Sequence, residues 1–368
     1  MHSFVYNGQP SRVVFGCGAI QHLEREVDVL GAQRVLVLCT PEQLPLAEQI
    51  ADILGNRAGG IFPRAQMHVP METAREARDF AQRQGADCAI AVGGGSTTGL
   101  GKAIALDSGL PILAIPTTYA GSEMTPIYGL TEGGLKKTGR DARVLPKTVI
   151  YDPELTTSLP LHISITSAMN AIAHAAEGLY AQDRNPVMSL MAREGIAALT
   201  NAIPALHRNA VDLQARSRAL YGAWLCGTVL GNVGMALHHK LCHTLGGSFN
   251  LPHADVHTVI LPHALAFNAR YVPEAMEEIS RAMQGDAHQS GGKFAPSALF
   301  DLAQAHGAPV ALRDIGMQEH DLDQATDIAV SNPYSNPRPI GKAQRAQVRL
   351  LLQHAFEGHR PEPTDDLD

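Results

Sequence analysis

The sequence predicts a Rossmann-like α/β domain with a parallel sheet, followed by an all-α domain. Three observations lead there. Short β-branched runs alternate with helical patterns between Arg34 and Ile115, the signature of a parallel sheet covered by helices. After Pro160 the strand signals thin out and segments rich in Ala and Leu take over. A chain of 368 residues is also long enough for two domains that each bury most of their apolar surface. The expected division is 1–160 for the dinucleotide-binding α/β domain, 161–358 for the helical domain and 359–368 for a polar, frayed tail.

In order, the elements are a strand at Arg34–Cys39, a helix from Pro41, a strand at Gly60–Phe62 and a helix at Glu72–Gln84. Cys88–Val92 is the next strand; a glycine loop and a helix to Leu106 lead to a fourth strand at Pro111–Ile115. A polar excursion from Tyr128 to Tyr151, rich in glycine turns, reads as a hairpin flanked by strands that closes the first domain. Ser164–Gln182, Pro186–His207, Asp212–Val233 and Ala325–Ser331 read as helices.

Composition narrows the partner. The formal charge is −7, and Lys and Arg are spread without a run, which argues against nucleic acid or an anionic membrane surface and for a small molecule. No apolar window is long enough for a membrane span and no leader pattern opens the chain, so a cytoplasmic location is expected. Five cysteines, scattered without a CxxC pair, read as reduced and mostly buried thiols.

The strand ending at Val92 runs into Gly93, Gly94, Gly95, Ser96 and Thr97 and then into an Ala-rich helix. Residues without side chains let backbone amides approach a pyrophosphate, and the helix directs its positive end there. A tight turn that needs glycine for its own geometry is the alternative. The next strand ends in a second polar elbow with Thr117, Thr118, Tyr119 and Ser122. In a parallel sheet both elbows emerge at the carboxyl edge, where ligands bind; Ser/Thr clusters there also serve simply as turn formers. The first strand ends at Thr40 with no acidic residue to hold a ribose 2′-hydroxyl, which leaves NADH and NADPH both open.

Asn170 and His174 lie four apart on one predicted helix, and His239 and His243 four apart on another segment, so each pair shares a face. With 17 His in 368 residues, chance supplies about one such His pair, so spacing alone does not separate chemistry from packing. The Pro-His steps at His253 and His263 add to the density of imidazoles in an apolar region, where each needs a partner.

Taken together, GGGSTTGLGKAIA, IPTTYAGSEMT, MNAIAHAAEGLYA, LHHKLCHTLGGSFNLPHADVHTVILPH and NPRPI resemble, in order, the motifs of the iron-containing alcohol dehydrogenase superfamily. That resemblance implies the dehydroquinate synthase-like fold, a nicotinamide coenzyme and a homodimer. Metal-using members hold their ion with an Asp and three His; the matching positions here are Asn170, His174, His239 and His253, without the anion. Gly99 also stands where the superfamily usually has Asp. Both departures resemble the branch that reduces maleylacetate and its substituted analogues. On that reading no metal is required, His243 and His253 serve as proton donor and oxyanion partner, and His174, His239 and Asn170 line the pocket. Gly93, Gly94, Gly95, Ser96, Thr97, Thr117, Thr118, Tyr119, Ser122 and Thr40 hold the coenzyme. Arg338, Lys136, Arg143 and Lys147 are candidates for the substrate carboxylates. The competing readings are a metal-dependent alcohol or polyol dehydrogenase and a nucleotide-binding sensor without catalysis.

Overall fold

A computed structural model describes residues 4, 6, 8, 11–132, 135–284 and 294–363; of Leu135 and Lys136 only the backbone is described. The chain divides into two compact units, Gly8–Leu159 with Val211–Leu220, and Pro160–Ala210 with Tyr221–Asp368 and the first seven residues. The first unit therefore takes in a stretch that a single cut at residue 160 leaves out. Arg216 supplies the reason: its fully buried guanidinium donates to Tyr119 Oη at 3.0 Å and to the Leu159 carbonyl at 3.0 Å.

The first unit is a six-stranded parallel sheet built from β1 (Arg12–Phe15), β2 (Val35–Leu38), β3 (Ala58–Phe62), β4 (Cys88–Gly93), β5 (Ile112–Pro116) and β8 (Thr148–Tyr151), in the order β1-β8-β5-β4-β2-β3. The four parallel strands read between Arg34 and Ile115 are β2 to β5, and β8 closes the excursion at its far flank. Their VLVL, CAIAVG and ILAIP runs are continuous rather than alternating because β2, β4 and β5 are buried along their whole length. Helices α1 (Leu23–Val29), α2 (Leu44–Leu54), α3 (Met71–Gln84) and α4 (Gly95–Ser108) flank the sheet strands in sequence. From β2 the chain adds β3 on one side and then β4 and β5 on the other, so the strand order reverses between β2 and β4, the place where doubly wound sheets open a crevice. The polar excursion contains an antiparallel hairpin, β6 (Ile127–Glu132) with β7 (Leu135–Arg140), outside the main sheet.

The second unit is helical: α5 (Leu161–Tyr180), α6 (Pro186–Arg208), the later part of α7 (Leu213–Asn232), α8 (Leu237–Ser248), α9 (His253–Asn268), α10 (Pro273–Gln284), α11 (Ala295–Ala305), α12 (Leu322–Ser331) and α13 (Arg345–Glu357). α5 is buried on all sides from Ser164 to Tyr180, which marks it as the central helix of a core rather than an amphipathic surface element. Leu241, Leu245, Val256, Ile260, Leu322, Val348 and Leu351 form the apolar core that fixes α8 and α9 against α12 and α13.

The expected frayed tail begins later than Gly358. Arg360 pairs with Asp301 at 2.7 and 2.9 Å, and the Pro361 carbonyl accepts from Ser297 Oγ at 2.6 Å, so α11 holds the chain through that point. Residues 364–368 lie outside the described residues. Among the described residues, no single helix is long and apolar enough to cross a membrane.

Candidate functional site

In the first unit the two polar elbows meet. Gly93 has φ +143°, a backbone that side chains rarely adopt, and its carbonyl accepts from the Thr117 amide at 3.0 Å. At Gly94 an added Cβ would stand 2.9 Å from Thr118 Cγ2, so only glycine lets the second elbow close this tightly on the first. Gly94 is also the N-cap of α4, a 14-residue helix whose first amides have no side-chain cap, which leaves them for an anion. Ser96, Thr118, Ser122 and Thr40 are partly exposed around this point, while Thr97 and Thr117 are buried. Gln43, which sequence reasoning passed over, reaches Thr117 Oγ1 at 3.4 Å and links the β2 edge to the β5 edge. Tyr119 is placed differently from the expectation. Its ring is wholly buried and its hydroxyl is taken by Arg216, so the side chain serves packing rather than the coenzyme.

Lys102 is the second residue that motif reading left without a role. Fully buried on α4, its ammonium donates to the Ser122 carbonyl at 2.6 Å, the Thr125 hydroxyl at 2.9 Å and the Ile127 carbonyl at 2.8 Å, tying the helix behind the glycine loop to the second elbow. Burial pulls its pKa down to about 7, against the nearby carboxylate of Glu123, which itself accepts from Tyr151 Oη at 2.7 Å. Three acceptors match the three N–H donors of an ammonium. At Gly99, where the superfamily usually carries Asp, an added Cβ would lie 2.7 Å from Val69 Cγ2. Val69 and His68 both have positive φ, +47° and +63°, and their carbonyls accept from Thr131 of β6. The space of an Asp side chain is thus filled by a strained loop.

In the second unit three helices converge on imidazoles. The rings of His174 (α5) and His239 (α8) lie 5.2 Å apart, His239 and His243 6.1 Å, and His253 reaches the group through His257, 4.4 Å away on α9. The structure therefore brings together Asn170's helix partner His174 with His239, His243 and His253, as the sequence suggested. It adds His257 and His238, bonded to each other at 2.9 Å. His257 was findable, since it stands four residues after His253, the same spacing that singled out the other pairs. His263 lies apart, edge-on to Phe300 of α11.

Glu177 is the anion that sequence reasoning missed, although it sits within the quoted α5 motif, three residues after His174. Wholly buried, it accepts from the amides of Ala236 and His238 at 2.7 and 2.8 Å, from His239 Nδ1 at 2.7 Å and from Tyr180 Oη at 3.3 Å. This fixes the His239 ring and, among the described residues, leaves its Nε2 without a hydrogen-bond partner, along with Asn170 Oδ1 and His174 Nδ1. Burial holds His174, His238 and His257 well below the usual imidazole pKa, so these rings are neutral at neutral pH. His243 and His253 are only partly buried, and Tyr334 Oη meets His243 Nδ1 at 2.9 Å.

The superfamily's iron can be tested against these residues. A carboxylate behind an imidazole is a usual support for a metal-bound histidine, and three orphaned polar atoms ask for a partner. Asn170 nevertheless supplies a neutral oxygen where the anion is needed. Among the described residues, the set of His, Cys, Asp or Glu ligand atoms lying mutually within 4.8 Å is His238, Cys242 and His257, not His174, His239 and His253. Asn170 thus leaves this set without the anion that the superfamily's metal-using members carry there. A cavity of about 600 Å³ in the same unit, lined by Tyr180, Asp183, Arg184, Tyr271 and Asn336 among others, has no imidazole in its wall.

The cations proposed for substrate are differently placed. Arg338 is buried, its guanidinium 4.1 Å from the centroid of the Phe267 ring and bonded to the Phe267 carbonyl. Arg143 is paired with Asp141 at 2.7 Å, Lys147 is exposed, and the Lys136 side chain lies outside the described residues.

A sheet with a glycine cradle at its switch point, joined in one chain to a helical unit centred on imidazoles, defines a nicotinamide-dependent oxidoreductase. Residues 10–153 match the family model described as iron-containing alcohol dehydrogenase, and residues 164–356 match the Fe-containing alcohol dehydrogenase family, C-terminal. The chain belongs to the iron-containing alcohol dehydrogenase family. It is 63% identical over 361 residues to the maleylacetate reductase of Burkholderia cepacia, covering 98% of this chain and 100% of that one. The solved maleylacetate reductase of Agrobacterium tumefaciens is 50% identical with a TM-score of 0.92, over 98% of this chain and 100% of that one. An iron-containing alcohol dehydrogenase of Corynebacterium glutamicum is 40% identical with a TM-score of 0.91, over 98% and 99%.

Proposed function

We propose that the chain reduces the carbon–carbon double bond of maleylacetate to give 3-oxoadipate, with NADH or NADPH as the reductant. The observation that carries this reading is full-length identity of 63% to a maleylacetate reductase, combined with Asn170 at the anionic ligand position. When bound, the nicotinamide supplies a hydride to the carbon β to the ketone. The chain's own residues then have two tasks: to stabilise the enolate oxygen and to deliver a proton to the α carbon.

The imidazole cluster suits both. Glu177 orients His239 so that its Nε2 faces outward from the carboxylate, and Asn170 and His174 stand beside it with acceptors unused. His243 and His253, partly exposed, are able to exchange protons with solvent, and His243 is held by Tyr334. We read this centre as working without a metal, because Asn170 supplies a neutral oxygen at the position where metal-using members carry Asp, and imidazoles are able to stabilise the enolate oxygen by hydrogen bonds. The cradle of Gly93, Gly94, Gly95 and Ser96 binds the pyrophosphate, with Thr117, Thr118, Ser122 and Thr40 around the ribose and carboxamide. A cytoplasmic homodimer belongs to the same reading; light scattering of the purified protein tests the dimer.

The test of function follows coenzyme oxidation with maleylacetate, substituted maleylacetates and simple aldehydes, with metal analysis of the same sample. Turnover of the enone diacids well above that of aldehydes is expected. Turnover of aldehydes alone overturns the substrate; loss of activity with chelator, restored by one metal, overturns the metal-free centre.

A further inference from the structure

We infer that Lys240 is the cation that receives one carboxylate of the substrate, an inference that rests on the enone-diacid reading above. A dianionic substrate approaching a chain of formal charge −7 needs a local cation at the reacting centre. Two of the cations chosen from sequence are engaged elsewhere: Arg338 is stacked on Phe267 and Arg143 is paired with Asp141.

Lys240 is built differently. It lies on α8 between His239 and His243, one helical turn before His243. The residue is partly buried, its ammonium 5.7 Å from the centroid of the Tyr334 ring, and the hydroxyl of that same Tyr334 meets His243 Nδ1 at 2.9 Å. Lys240, Tyr334 and His243 thus form one contiguous group. The aromatic face steadies the ammonium without neutralising it. Among the described residues no carboxylate pairs with Lys240. An ammonium on a partly buried residue, grouped through Tyr334 with a proton-handling imidazole and with no anion on it among the described residues, is matched by an anionic ligand. Bound there, a carboxylate sets the enone's position relative to His243.

The experiment compares wild type with Lys240→Met and Lys240→Arg in the full-length protein, measuring KM and kcat for maleylacetate, KM for NADH and the melting temperature. Lys240→Met should raise KM for maleylacetate about 10- to 100-fold, the range for losing a hydrogen bond to a charged group, with KM for NADH within about twofold; Lys240→Arg should recover most of the loss. Two monocarboxylate enones, each lacking a different carboxylate, complete the comparison. On the one lacking the contacted carboxylate, wild type and Lys240→Met should converge.

An unchanged KM for maleylacetate in Lys240→Met, or an equal deficit on both monoacids, overturns the assignment while wild-type turnover keeps the substrate reading intact. If wild type itself fails to turn over maleylacetate, it is the underlying reading that falls. Should Lys240→Met not fold, Lys240→Gln takes its place under the same criteria.

Discussion

The two parts of the site are built by opposite means. In the first unit the coenzyme cradle is made of missing side chains: Gly93 and Gly94 let the elbows at residues 93–97 and 117–122 touch, and the groups offered outward are backbone amides and small hydroxyls. In the second unit the centre is made of large polar side chains from α5, α8 and α9, organised around one buried carboxylate. The lesson is that the first part should fail in coenzyme affinity when a methyl group is added. The second should fail in turnover when a charge or ring is removed.

The largest break expected is at His243. Replacing it by Ala removes the partly exposed imidazole held by Tyr334, and kcat should fall about 100- to 10,000-fold, the usual weight of a general acid. KM for NADH should stay within about twofold. A kcat within threefold of wild type would take His243 out of the proton and oxyanion roles.

Glu177→Gln comes next. The amide keeps one acceptor but turns its NH₂ toward one of the donors now facing the carboxylate, from Ala236, His238 and His239. Loss of hydrogen bonds to this charged group should lower kcat about 10- to 100-fold. Steady-state rates with circular dichroism of the variant separate a turnover defect from misfolding; unchanged rates would mean that the orientation of His239 does not matter.

Gly94→Ala probes the other part. The new methyl would sit 2.9 Å from Thr118 Cγ2, so the elbows must separate, and overpacking of this kind costs about 1–3 kcal/mol. KM for NADH should rise about 10-fold with a smaller change in kcat. Adding Thr118→Ser removes the clashing methyl and should restore most of the affinity, a coupling that a double-mutant cycle reads directly. Independent, additive effects would show that the elbows do not share this contact.

How much of this was legible follows from the same contrast. The cradle is local: a strand, glycines and a helix start lie within ten or so neighbouring positions, and their chemistry reads along the chain. β1 was harder to see, because a four-residue run such as RVVF gains strand identity only by pairing with β8. In the helical unit the residue types and the four-residue spacing marked His174, His239 and His243, and the same rule also applied to His257. Glu177 and Lys240 stayed hidden because a carboxylate or ammonium inside a helix looks like any solvated charge until tertiary packing buries it. Tyr119 shows the reverse failure: a polar residue in a ligand-facing loop was claimed from elsewhere in the chain by Arg216.

The last effect separates the two units by pH. Burial lowers the pKa of His174, His238 and His257 in the folded state below their unfolded value near 6.5. Below that pH the unfolded chain binds more protons than the native one, so stability present above pH 6.5 is lost as pH falls, by up to about 1.4 kcal/mol per pH unit for each group. The melting temperature of the helical unit should therefore drop between pH 7 and pH 5.5. His257→Asn should flatten part of that slope, since it removes one buried imidazole from the set, whereas Gly94→Ala should shift the whole curve without changing its slope. A melting temperature that is level down to pH 5.5 would mean that the cluster takes up protons as readily as the unfolded chain, against the burial assigned to these rings.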